Sequence, residues 1–147
     1  MIERLICFFC NFGRRGHTLS QYRGQRIKSF NINEMYFDVD FHEFPDDSFM
    51  KIRAYFHDIE LGHASITIKN SKANLNDIII FENNRGVGIG TKLLEKVINE
   101  CSDRGVKSIH GWMAGEKDKL IKFYGKFGFE IHEDNMELLI QRPITTT

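Results

Sequence analysis

The stretch Ile78-Ile79-Ile80-Phe81-Glu82-Asn83-Asn84-Arg85-Gly86-Val87-Gly88-Ile89-Gly90-Thr91 passes from an apolar run, through polar residues, to an arginine and three alternating glycines. An amphipathic run begins near Lys92. That order predicts a strand, a tight turn and a helix whose first turn is nearly bare of side chains. The first amides of a helix have no intrahelical acceptor and lie at the positive end of its dipole. Glycine lets a ligand approach them closely, and Arg85 adds formal charge or only its own backbone. The segment reads as a phosphate cradle. Two common nucleotide motifs fail on spacing. Neither Gly86 nor Gly88 begins a Gly-x-Gly-x-x-Gly fingerprint, and Thr91-Lys92-Leu93 does not supply the Gly-Lys-Ser/Thr of a Walker loop. What remains is Arg85-Gly86-Val87-Gly88-Ile89-Gly90.

Outward from this loop the elements alternate. Upstream, Asp77–Phe81 is the continuous apolar run of a strand covered on both faces. Asn70–Asn76 reads as a polar loop, and Phe49–His57 and Ile59–Lys69 as strands. Met35–Phe41 alternates, with Met35, Phe37, Val39 and Phe41 on one face. Downstream, Leu93, Leu94, Val97, Ile98 and Cys101 form one helical stripe, which Gly105 ends. Ser108–Met113 reads as a strand. Glu116–Phe127 reads as a second helix, with Leu120, Ile121, Tyr124 and Phe127 on its inner side. Phe129–His132 and Met136–Gln141 close the chain as a hairpin. The expected fold class is α/β (α+β): a mixed, largely antiparallel sheet of six to seven strands with helices packed on it.

The chain has 147 residues, enough for one domain with a proper core. Lys and Arg together number 20, as do Asp and Glu, so no global charge points to nucleic acid. Three cysteines are too few for a disulfide scaffold and suit a reducing cytoplasm. No apolar run approaches a membrane span, and Leu5–Phe9 is too short for a signal peptide. Charge is uneven, however. Residues 1–30 hold Arg4, Arg14, Arg15, Arg23, Arg26 and Lys28 against Glu3, followed by Glu34, Asp38, Asp40, Glu43, Asp46 and Asp47. The expected organisation is an irregular basic arm over 1–30, lying on an acidic edge of a single domain over 31–147. Cys7-x-x-Cys10 with His17 is half of a zinc pattern and lacks further ligands nearby, so no metal is expected.

The glycine loop, Leu93-Leu94 and the later Lys122-Phe123-Tyr124-Gly125-Lys126-Phe127-Gly128-Phe129-Glu130 together resemble the GNAT superfamily of acetyl-CoA-dependent N-acetyltransferases. The resemblance covers residues 49–142 well and 35–48 loosely. It implies the GNAT acyltransferase fold, with acetyl-CoA as cosubstrate and an amine, on a small molecule or a protein, as acceptor. The pyrophosphate would rest on Arg85, Gly86, Val87, Gly88, Ile89, Gly90 and Thr91. The pantetheine arm would lie against Ile80, Phe81 and Glu82, where the sheet splays. The backbone N–H of Ile80 would stabilise the oxyanion, and Tyr124 would be the general acid toward the leaving thiolate. Tyr124 also suits a core position.

Three departures qualify the resemblance. The glutamate that often serves as base falls at Asn74, while Asp77 should point to the face opposite Ile80 by strand alternation. Glu82, His63 and His110 are the available substitutes, and an unassisted water chain or an acceptor amine that is already neutral would serve equally. An asparagine of the family is replaced by Lys117, which is either solvated or within reach of a phosphate. Only Glu43–Ser48 separates the first two strands, where the family normally inserts two helices. The acceptor side is therefore open, closed by the arm, or closed by a partner subunit in a homodimer. An open side would suit a large acceptor such as a protein amine. The alternatives to an enzyme are a non-catalytic acetyl-CoA-binding module and a protein holding another diphosphate.

Overall fold

The computed structural model describes residues 31–81 and 86–140. The basic arm, Cys7, Cys10, His17, Glu82 and Arg85 lie outside these residues. A single 3-10 turn, Ile32–Glu34, precedes four strands: β1 (Tyr36–Glu43), β2 (Ser48–Phe56), β3 (Ile59–Lys69) and β4 (Lys72–Ile80). Helix α1 (Ile89–Asp103), β5 (Ser108–Trp112), helix α2 (Lys117–Gly125), β6 (Glu130–His132) and β7 (Asn135–Leu139) follow. One seven-stranded sheet has the order β1-β2-β3-β4-β5-β7-β6. Among the described strands only β4 and β5 are parallel neighbours, joined by the crossover helix that a parallel pair requires.

Alternation builds the inner face. Met50, Ile52 and Ala54 of β2, Ala64 and Ile66 of β3, and Leu75, Ile78 and Ile80 of β4 are buried. Leu93, Leu94, Val97 and Cys101 of α1 belong to the same core, and α1 crosses β2, β3 and β4. The α1 stripe therefore falls where its 3.6-residue spacing puts it, with Ile98 partly buried beside it. The helix starts at Ile89, so its first turn runs through Gly90 ahead of the amphipathic run near Lys92, as the glycine spacing implies. Its far end is tied down by charge: Arg104 pairs with Glu100, and its guanidinium sits 4.5 Å above the Phe41 ring of edge strand β1.

Two expectations are corrected. Asn70–Asn76 is not a loop; β4 begins at Lys72, and only Asn70 and Ser71 turn the chain. Both have positive φ, 52° and 63°, as a two-residue hairpin requires. The polar composition hid an ordinary alternation, with Ala73 and Leu75 inward and Asn74 outward. In α2 the inner stripe is Leu120, Phe123 and Tyr124, with Ile121 41% exposed. Phe123, not Ile121, completes the i, i+3, i+4, i+7 face with Leu120, Tyr124 and Phe127, and its ring meets those of Tyr124 and Phe127 edge-on.

Candidate active site

The parallel pairing of β4 with β5 lasts only from Lys72↔Ser108 to Asn74↔His110. Beyond that, β5 continues against β7 while β4 runs on to Ile80 along β3. A bulge accounts for the parting. Ile66 faces Leu75 and Ser65 faces Asp77, so Asn76 is an extra residue on β4. Such an insertion bends and twists its strand, here just past the last β4–β5 pair. The result is that β5 no longer pairs with β4 beyond Asn74, along the stretch that leads toward the glycine loop.

At the end of that stretch, α1 starts without a side-chain cap and without an acidic residue in its first turn. The first intrahelical bond is Lys92 N–H to the Gly88 carbonyl, at 3.2 Å. The amides of Ile89, Gly90 and Thr91 lie ahead of it, at the positive end of the dipole. Gly88 has φ 90°, and a Cβ there would sit 3.2 Å from Ile32 Cδ1. The 3-10 turn thus packs against the loop from outside. Gly86 has φ 81° and open space around it, so backbone conformation alone requires glycine there. Gly86, Val87 and Gly88 are exposed, while Ile89 and Gly90 are buried.

Ile80 stands opposite Gly62, and the next amide, Phe81 N–H, donates to the Leu61 carbonyl at 3.0 Å. Successive strand residues send their amides to opposite edges, so the Ile80 N–H is directed to the edge facing β5. The side chains of Ile80 and Ile78 are buried. Phe81 is half-buried, its ring edge-on to His63 at 6.0 Å.

Tyr124 is 0% exposed, and its hydroxyl has no partner among the described residues. Phe129 and Phe123 flank its ring edge-on. Burial raises the phenol well above its ordinary pKa. It is therefore a neutral donor at physiological pH and cannot serve as a base.

The residues considered for the base separate clearly. Asn74 donates to Asn76 Oδ1 at 2.7 Å, and Asn76 donates to Thr67 Oγ1 at 2.8 Å, which makes an uncharged tether across the bulge. His63 Nδ1 lies 3.3 Å from Glu60. His110 Nε2 lies 2.9 Å from Ser108 Oγ and 3.9 Å from Glu137. Asp77 differs: its Oδ1 is buried and has no partner among the described residues. It faces away from Ile78 and Ile80, as alternation requires, at the point where β4 leaves β5. The sequence signal for it was the acidic residue itself, set aside because of that face. Lys117 forms an exposed ion pair: its ammonium is 2.6 Å from Asp134, whose hydrogen bond raises the Lys117 pKa.

The β1–β2 connection is short, as the sequence implied. Phe44 N–H donates to the Asp47 carbonyl at 2.9 Å, closing the β1–β2 connection as a tight turn. The sheet face opposite α1 is half-exposed there. Tyr36 stacks on Tyr55 at 5.3 Å, and Arg53 lies 2.9 Å from Asp40 and 3.9 Å from Asp38. The hydrogen bond from Arg53 holds the Asp40 carboxyl below its ordinary pKa. Among the described residues no group of three or more His, Cys, Asp or Glu is placed to hold a metal. No described helix is long and apolar enough to cross a membrane.

Comparison with known proteins bears on this geometry. The acetyltransferase (GNAT) domain family matches residues 18–138. An uncharacterized N-acetyltransferase of Methanocaldococcus jannaschii is 35% identical over 65 residues, 44% of this chain and 29% of that protein. N-alpha-acetyltransferase 50 of Danio rerio is 35% identical over 85 residues, 54% of this chain and 51% of that protein. The chain thus spans about half or less of these relatives. A GNAT family acetyltransferase of Elizabethkingia anophelis, solved with acetyl-CoA bound, superposes with a TM-score of 0.63 at 12% identity. That superposition covers 74% of this chain and 99% of that one, and shows the common fold. A family match across most of the chain agrees with a sheet parted beside a glycine-rich helix start, and the protein belongs to the GNAT acetyltransferase family.

Proposed function

We propose that the chain transfers the acetyl group of acetyl-CoA to an amine by direct attack within a ternary complex. The observation that carries this reading is the parting of β4 from β5 immediately upstream of the bare start of α1. Pantetheine is a chain of amides and fits such an open edge as an added strand. The pyrophosphate then falls on the amides of Gly86–Thr91, with Arg85 beside them. The amine nitrogen bonds to the acetyl carbon, and the Ile80 N–H donates to the oxygen on which charge develops. Asp77 takes the amine proton through water. The C–S bond breaks, and the neutral Tyr124 phenol donates to the departing thiolate.

The short β1–β2 turn and half-exposed face suit an acceptor larger than a metabolite, such as an amine on a protein. The test has two parts. Acetyl-CoA and coenzyme A should raise the melting temperature, whereas ATP and NAD should not; stabilisation by a nucleotide alone would overturn the reading. Incubation with acetyl-CoA and pooled peptides and polyamines should then release free thiol. Binding without release would identify a non-catalytic module.

A further inference from the structure

Gly62 is buried in β3, directly opposite Ile80, and Ala54 of β2 continues the same row. Its φ lies outside the left-handed range, so backbone conformation does not require glycine here. Space does. A Cβ at Gly62 would fall far inside contact distance of the Ile79 carbonyl oxygen, 2.9 Å from Ile80 Cδ1 and 3.1 Å from Ile80 Cα. A flexible side chain can turn aside, but a strand carbonyl cannot move alone. The Ile79 C=O and the Ile80 N–H are the two ends of one planar peptide unit. Pressure on the oxygen from the β3 side therefore tilts or displaces the N–H that faces the parted edge. The neighbouring residue strengthens the point. Ala54 faces Gly62 while Tyr55 faces Glu60, so Leu61 is an extra residue on β3. Bulges re-aim a strand locally, and this one lies beside the close approach.

We propose that Gly62 is a positioning residue for acetyl transfer: its missing side chain fixes the Ile79–Ile80 peptide so that the Ile80 N–H is aimed at the thioester oxygen. The inference rests on the acetyltransferase reading above. It separates two quantities that a general packing defect would change together. Coenzyme A has no thioester carbonyl, so its binding does not use this aim, whereas turnover of acetyl-CoA does.

The test compares wild type, Gly62→Ala, Gly62→Ala/Ile80→Val and the core control Ile66→Val. For each, the kcat and KM of thiol release from acetyl-CoA with pooled peptide amines are measured, together with the melting shift given by coenzyme A. Gly62→Ala should lose roughly tenfold or more in kcat, the scale of a misplaced oxyanion donor. Its coenzyme A shift should stay near the wild-type value. Ile66→Val should lower the melting temperature and leave kcat unchanged. The double variant removes the 2.9 Å side-chain contact but not the carbonyl contact, so its kcat should stay low. It also carries the test if the single variant does not fold. Recovery of kcat in the double variant would overturn the inference by showing side-chain crowding alone. Unchanged kcat in Gly62→Ala, or parallel loss of kcat and coenzyme A binding, would also overturn it. A wild-type chain that binds coenzyme A yet releases no thiol overturns the underlying reading, and this inference with it.

Discussion

Tyr124→Phe should make the protein more stable and less active. The hydroxyl is fully buried, and no described residue accepts or donates to it. A buried polar group left unpaired costs about 1–3 kcal/mol, which the phenylalanine ring would not incur. Melting temperatures move about 2–4 °C per kcal/mol in domains of about this size, so the variant should melt roughly 2–12 °C higher. Turnover should fall at least about tenfold, because the departing thiolate loses its proton donor. A third signature joins the two. If the coenzyme A sulfur gives the hydroxyl its missing partner, coenzyme A should stabilise wild type more than it stabilises the variant. The assays are thermal melts with and without coenzyme A, and thiol release from acetyl-CoA. A variant that melts lower than wild type would show that the hydroxyl has a partner in the free protein. Unchanged turnover would remove Tyr124 from the mechanism. Because burial raises the phenol well above 10, wild-type turnover should show no basic limb from this group below about pH 10.

Other sites give sharper or simpler outcomes. Gly88→Ala places a Cβ on a backbone with φ 90° and 3.2 Å from Ile32 Cδ1; it should raise the KM for acetyl-CoA about tenfold and shrink the coenzyme A melting shift, and an unchanged KM would argue against the pyrophosphate position. Asp77→Asn should lower kcat at least about tenfold; an unchanged kcat would assign the base elsewhere. Glu100 is penalised by burial, yet Lys96 at 2.8 Å and Arg104 outweigh this and hold its pKa below 4.5. Its contribution is thus present above the unfolded pKa and lost as pH falls through the lower folded value. Glu100→Gln should destabilise by about 1 kcal/mol at pH 7, and the difference should shrink as pH falls through the lowered folded value, read from denaturant melts.

Much of this protein is local and therefore legible in its sequence. The strand, glycine loop and helix from Ile78 to Cys101 announce themselves, because periodicity and glycine placement act within a few residues. The strands β1, β2, β3 and β5, the closing hairpin and the short β1–β2 turn are readable for the same reason. Legibility ends where polarity imitates a loop. Lys72–Asn76 carries too few apolar residues to look like a strand, and only pairing with β3 makes it one. The rotation of α2 that buries Phe123 and exposes Ile121 likewise depends on what the helix packs against.

The features that decide the site come from register, which no single segment contains. Asn76 is a bulge only because Ser65 and Ile66 oppose Asp77 and Leu75. That mismatch parts β4 from β5. Gly62 matters because the fold brings the Ile79–Ile80 peptide against it, and Asp77 and Tyr124 stand out because Asp77 Oδ1 and the Tyr124 hydroxyl are buried with no partner among the described residues. The order of elements and the uncapped, glycine-rich helix start are legible before folding, since these follow from local conformational preference. Where β4 parts from β5, and which oxygens are buried with no partner among the described residues, appear only in the folded chain, since each depends on contacts between segments far apart in the sequence.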